Sequence, residues 1–332
     1  VTTQSATESS AADVLQRLVL TPADVARYDT ELARGVELLR LDPELLAALA
    51  DAGLPHVVAP DGSRLFDYTD LTNVGRLSGT GRTVPELAWR FLMRFAESPS
   101  TSWFEPMMWM VTVRPPGQDI GPIAIAVPDG EAPGVDLLDI PPHEPLAAPP
   151  PTVPTGYQDA GYQVLVRLTG CDERVDHPGV RAAFDEVTDA MVSRQVAYQA
   201  VAEPLRTDPH RAWRLGMADC VVASKVLAAR ISLLGLRVRV RRGYMLGLLG
   251  SDHTWAEVEE DGRWKALDPV FAHLASAAPN AAAFREACCG GRFNRLLPCT
   301  VPDGRPLITR ATGEPLPLWA LTWVSTRPWR KG

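Results

Sequence analysis

The sequence predicts an α+β fold: a helix that opens on Cys220, an antiparallel hairpin downstream of it, and a mixed helix and strand region ahead of both. Three observations carry that expectation. From Cys220 onward Val222, Val226, Leu227, Ile231 and Leu234 recur at helical spacing, and Gly235 follows as a stop. Leu236-Arg237-Val238-Arg239-Val240-Arg241 alternates with period two, the pattern of a half-buried strand. Residues 253–260 and 263–268 flank Asp261-Gly262, the dipeptide of a two-residue type I′ turn.

The elements ahead of this segment carry their own signals. Thr21-Pro22-Ala23-Asp24 and Asp42-Pro43-Glu44-Leu45 read as helix starts, and Pro85-Glu86 opens an amphipathic helix to about Ala96. Residues 109–113 and 123–127 read as strands. Between 141 and 154 seven of fourteen residues are proline, so no helix or central strand continues there. That places an N-terminal accessory region at 1–140, a linker at 141–155 and a second domain at 156–332. In the second domain a strand is expected over 162–168 and a long helix over 180–202, ended by Asp208-Pro209. No internal repeat is evident.

Composition narrows the function. The 332 residues are 46% hydrophobic and 22% charged with a net charge of -7, ordinary values for a globular chain. The acidic balance argues against nucleic acid and anionic membrane surfaces as partners. The polar start lacks the apolar stretch of a secretory signal, and residues 15–20 are too short to span a bilayer. Five cysteines, few and odd in number, argue against a disulfide framework, and the expected location is the cytoplasm.

Chemistry gathers around the predicted helix and hairpin. With Asp219 as its N-cap, Cys220 falls in the first turn, where free backbone N–H groups and the positive end of the dipole favour a thiolate. A thiol at the reference pKa of about 8.5 is mostly protonated at neutral pH, so this placement is what makes a nucleophile credible. The turn sets residue 260 against 263, and the register continues until Trp255 faces Asp268. His253 and Asp268 are then diagonal neighbours on one face, about 7–8 Å apart at the backbone and within reach of a side-chain hydrogen bond. Cys220 joins them if its helix packs on that same face.

These segments, with His253-Thr254-Trp255-Ala256-Glu257-Val258 and Gly262-Arg263-Trp264-Lys265-Ala266-Leu267-Asp268-Pro269, resemble the transglutaminase-like core, a papain-related fold. The resemblance covers about residues 215–271. It implies a catalytic triad: Cys220 as nucleophile, His253 as general base and acid, Asp268 as the orienting acid. It also implies acyl transfer through a thioester, with amide formation on a small-molecule or carrier-bound acyl substrate and an amine acceptor as the first expectation. An amidase or peptidase using the same residues, and a binding protein that keeps the fold without catalysis, stay open. Papain-like enzymes place a Gln six residues before the cysteine, where this chain has Arg214. The second oxyanion donor is therefore unassigned among Trp213, Gln195 and Gln199, beside the Cys220 N–H as the first.

Neither cofactor nor metal is called for. Cys288, Cys289 and Cys299 with His273 lack the paired spacing of a zinc site, and packing is the expectation for these thiols. Arg237, Arg239, Arg241 and Arg242 read as a solvated strand face, with an anionic substrate or an acidic carrier-protein partner as the alternative. Trp103, Phe104, Met107, Met108, Trp109 and Met110 read as strand core, with an apolar acyl pocket as the alternative. No GxGxxG, Walker A or GxSxG motif is present.

Overall fold

A computed structural model describes residues 10–114, 123–139, 144–145, 151–153, 162–247, 252–301, 304–310, 313–314, 316 and 323–328. The chain forms two compact units, Val1–Arg90 with Arg194–Asp219, and Phe91–Ser193 with Cys220–Gly332. They interleave along the chain instead of following one another as 1–140 and 156–332. The physical reason is a ladder: Met107–Arg114 pairs antiparallel with Tyr162–Leu168, so hydrogen bonds join segments on either side of the proline-rich stretch. Within that stretch Glu144–Pro145 and Pro151–Val153 are short strands, and the remainder of 141–155 lies outside the described residues.

In the first unit the Asp42-Pro43 signal gives the helix Pro43–Asp51, with Asp42 accepting from the Glu44 N–H at 2.9 Å. Thr21-Pro22-Ala23-Asp24, by contrast, makes only a turn. The Thr21 hydroxyl and N–H both donate to buried Asp70, at 2.7 and 3.0 Å, so the residue is tied to a segment 49 positions away. Burial pushes the Asp70 carboxyl up to about 6 even against the pull of those hydrogen bonds.

The second unit holds the predicted helix and hairpin. Helix α1 (Pro178–Val192) is shorter than the 180–202 expected, because Arg194 turns into the left-handed region at φ 61° and ends the helical path. The chain then enters the first unit, where Ala197–Tyr198 pairs parallel with Met217–Ala218. Helix α2 (Cys220–Ser232) follows, and after Gly235, at φ 77°, come β1 (Val238–Met245), β2 (Asp252–Glu260) and β3 (Arg263–Leu267). Helices α3 (Pro269–Leu274) and α4 (Ala281–Cys288) lead to β4 (Cys289–Gly290) and β5 (Leu296–Pro298). The five strands form one antiparallel sheet in the order β4-β3-β2-β1-β5.

The turn between β2 and β3 is the one the sequence predicts. Asp261 and Gly262 both have positive φ, 54° and 71°, as a type I′ turn requires, and Glu260 pairs with Arg263. Helix α2 packs on β1 and β2 and against α1 and α3. Its contact with the sheet is pinned where the Ser224 hydroxyl donates to the Thr254 carbonyl at 3.0 Å. At the other end of the hairpin, Glu260 accepts from the Asp176 and His177 N–H groups at the start of α1. A second layer of strands, including 107–114 and 162–168, buries Trp109, Val111, Val113, Val164 and Val166 against Tyr244 and Leu297. Trp109 is thus strand core as expected, whereas Trp103, equally buried, lies in the short helical turn Ser100–Trp103, and Phe104, Met107, Met108 and Met110 are half-buried. Among the described residues no helix is long and apolar enough to cross a membrane.

Two glycines of this sheet separate a conformational demand from a steric one. At Gly262 a Cβ meets nothing within 4 Å, so Gly262→Ala costs only its left-handed backbone, about 1–2 kcal/mol. At Gly243, opposite His253 on β1, a Cβ would stand 2.1 Å from the Leu297 carbonyl oxygen of β5. Gly243→Ala is therefore expected to cost more than Gly262→Ala in urea unfolding; the reverse order would contradict the packing of β5 on β1.

Candidate active site

Asp268 follows the last ladder pair of the hairpin and is also the N-cap of α3, with Pro269 as the first helical residue. Its two oxygens divide these tasks. Oδ1 accepts from the Phe271 N–H at 2.9 Å, and Oδ2 lies 2.7 Å from His253 Nε2. Its backbone N–H donates to the Cys288 carbonyl at 3.0 Å, and the residue is 1% exposed. The residue is therefore held by two hydrogen bonds besides the one to the imidazole, one on its carboxylate and one on its backbone.

His253 is buried in β2, where the register continued one step past Ala256 and Leu267 sets Trp255 opposite Asp268. The diagonal relation expected from the turn is present. The imidazole lies over the Phe271 ring, centroids 4.6 Å apart, and beside Trp255 at 6.2 Å. Trp255 is itself held by its Nε1–H, which donates to Glu257 at 3.1 Å. With Nε2 on Asp268, Nδ1 is the ring nitrogen left for another partner, and the Cys220 side chain lies near enough to favour the charged imidazole. Burial works against a charged imidazole here, but the Asp268 carboxylate and then Cys220 outweigh it and hold His253 up to about 10.

Cys220 is the first residue of α2 and is partly exposed. Its N–H belongs to the first turn, which has no intrahelical carbonyl to bind. The preceding Asp219, expected as the N-cap, directs its carboxylate to the Arg206 guanidinium at 2.5 Å. The structure thus joins His253 and Asp268 by a buried hydrogen bond and sets the Cys220 side chain, at the start of α2, within electrostatic reach of the imidazole. It also gives them a wall the sequence reading lacks: Phe271 under the imidazole, with Phe284 and Phe293 stacked behind it at 6.5 and 5.9 Å. Asp268-Pro269 as a helix start is the signal that could have placed Phe271 beside the acid.

The expected second oxyanion donors have other surroundings. Gln199 is buried in the first unit, its amide donating to the Val19 carbonyl at 2.6 Å and accepting from the Val19 N–H. Gln195 and Arg214 are exposed and Trp213 is half-buried. The strand arginines are not a free cationic face. Arg237 pairs with Glu259, and Arg239 with Glu257 while it stacks over Trp264. Arg241 pairs with Asp129 and Glu257, and Arg242 with Asp252 and the Gly304 carbonyl. Cys288, Cys289 and Cys299 are buried, which pushes all three thiols up, Cys289 to about 12. Among the described residues no three His, Cys, Asp or Glu groups are arranged to hold a metal ion.

No family model and no curated protein sequence matches this chain. Solved structures that it resembles include a proposed cysteine protease from Cytophaga hutchinsonii, 13% identical over 69% of this chain and 92% of that one, with a TM-score of 0.43. Another is a TGase, 16% identical over 42% of this chain and 46% of that one, with a TM-score of 0.21. A third is a proposed protease from Parabacteroides distasonis, 10% identical over 61% of this chain and 48% of that one, with a TM-score of 0.20. These likenesses are loose.

Proposed function

We propose that this protein is a cysteine-dependent acyltransferase that works through a thioester on Cys220. The observation that supports the reading is the buried hydrogen bond between Asp268 and His253 with the partly exposed Cys220 beside the imidazole at a helix start. A carboxylate on one imidazole nitrogen and a thiol beside the ring is the arrangement that lets one residue exchange a proton with the nucleophile and with the leaving group. Phe271 and Trp255 keep the ring in plane, and Asp268 is held by its capping bond to α3.

In the reaction the Cys220 sulfur attacks the carbonyl carbon of the acyl donor, and its proton resides on His253. The bond to the leaving group breaks as His253 returns that proton to it, which leaves the acyl group on sulfur. An amine then attacks the thioester and gives its proton to His253; the C–S bond breaks and an amide is released. The Cys220 N–H is suited to stabilise the developing oxyanion at the helix start. Amine and water use the same three residues, so the acceptor decides between amide formation and hydrolysis. The reading favours the amine, on the size of the chain outside the motif.

Incubation with activated acyl esters and an excess of hydroxylamine is expected to give an acyl adduct on Cys220 by mass spectrometry and a hydroxamate as the main product. The adduct should vanish in Cys220→Ala and persist when Cys288 or Cys299 is changed. Free acid as the only product, with amine in excess, would assign hydrolysis instead. Asp268→Asn should lower the acylation rate roughly 10²–10⁴-fold while the protein still folds, because the imidazole loses the partner that sets its orientation.

Proton linkage gives a second measurement. Folded His253 keeps its proton up to about 10, against 6.5 for the unfolded residue. Between those values the folded state binds the extra proton, so stability falls as pH rises. The contribution is complete below 6.5 and gone above about 10. Urea unfolding of wild type should therefore weaken across that window relative to His253→Gln, and parallel profiles for the two proteins would remove the charged imidazole from the site.

A further inference from the structure

A second concave site lies within the same unit, on the face of the sheet that carries His253 but toward the hairpin end. Arg239, Glu257, Trp264 and Ala266 share that face by the strand register, and they line a cavity of about 370 Å³ together with Cys171 and Arg292. Three guanidinium groups line it, from Arg239, Arg263 and Arg292, against two carboxylates, from Glu173 and Glu257. Arg239 is paired with Glu257, and Arg263 with Glu173 at 3.5 Å. Three cations less two anions leave one positive charge, and it belongs to Arg292.

Arg292 is 6% exposed, and no described carboxylate pairs with it; the polar side-chain atom it meets is Cys171 Sγ at 3.7 Å. A buried cation without an anion is costly unless something supplies one. The site is built to hold it there. The backbones of Cys171 and Arg292 clamp each other with two hydrogen bonds of 2.8 and 2.9 Å. Gly134, at φ 71°, packs beside the guanidinium: a Cβ there would clash with the Thr169 carbonyl oxygen and stand 3.3 Å from Arg292 Nη2. Trp264, with Arg239 stacked 4.1 Å over its ring, forms a flat wall.

We infer that this cavity binds a small monoanionic carboxylate, its oxygens on the Arg292 guanidinium and its carbon skeleton against Trp264 and the Cys171 sulfur. One surplus positive charge matches one carboxylate, and the guanidinium fork matches its two oxygens. The inference is independent of the thioester reading, because none of Cys220, His253 and Asp268 lines the cavity.

Iodoacetate tests it, since it is such a carboxylate and carries an electrophilic carbon. Bound at Arg292, its CH2 group is presented to Cys171: the sulfur displaces iodide, the C–I bond breaks, a C–S bond forms, and the thiol proton passes to solvent. The experiment uses the full chain with Cys220→Ser and follows Cys171 by peptide mass spectrometry. Labelling by iodoacetate should saturate with concentration and be suppressed by acetate, whereas labelling by neutral iodoacetamide should do neither. Arg292→Gln should cut the iodoacetate rate roughly tenfold or more, the loss of a charge-assisted hydrogen bond, and leave the iodoacetamide rate in place. If Arg292→Gln fails to fold, protection by acetate in the Cys220→Ser protein decides alone. Linear labelling by both reagents without protection overturns the site, and equal protection by inorganic phosphate overturns its assignment to a carboxylate.

Discussion

The register of the hairpin between β2 and β3 is the constraint on which the candidate site depends. Side chains alternate across a sheet with period two, so a slip of one residue would carry His253 to the opposite face from Asp268. Asp261 and Gly262 prevent the slip because both adopt positive φ, which fixes a two-residue loop and therefore Glu260 against Arg263. From that pair the ladder counts directly to Ala256 and Leu267. The salt bridges at the loop reinforce the count, since Lys265 joins Glu260 while Glu260 holds the start of α1.

Asp268 converts this register into a polar site. A carboxylate buried without partners would be driven toward its neutral form, and as a neutral acid it would not hold an imidazolium. Two donors meet its oxygens, the Phe271 N–H and His253 Nε2, so the same charge ends the hairpin, starts α3 and anchors the imidazole. Because α3 begins at Asp268, its third residue, Phe271, is carried under the ring that Asp268 binds. Orientation of the base and the flat surface it rests on are consequences of one helix start.

Much of this was legible in the chain because it is local. The Asp-Gly turn, the period-two strands and the helix opening on Cys220 each need fewer than about twenty residues to be recognised, and the relation of His253 to Asp268 follows from counting back along the hairpin. Elements that depend on distant contacts were not legible. The apolar spacing past Val192 suggests a helix to 202, but Arg194 leaves the helical region and the chain pairs with residues 217–218. The four strand arginines look free in sequence, yet Asp129 lies more than a hundred residues from Arg241, and the pairing of Arg239 with Glu257 needs the β1 to β2 register that no turn dipeptide announces. Phe284 and Phe293 join the wall behind His253 only through the packing of α4 and the segment after it.

The five cysteines show how position, more than residue type, sets one thiol apart from the rest. Cys288 closes α4, at the helix end where carbonyls converge, and its own carbonyl is occupied by the Asp268 N–H. Burial first, and then the nearby Asp268 carboxylate, push its thiol well above the ordinary range. Cys289 and Cys299 are raised by burial too, and Cys171 is raised despite the Arg292 guanidinium beside it. Cys220 stands at the opposite kind of helix end, where N–H groups converge, is partly open to solvent and meets His253. The same side chain is thus a packing group at a helix C-terminus and a candidate nucleophile at an N-terminus, and the direction of the helix relative to the imidazole makes the difference.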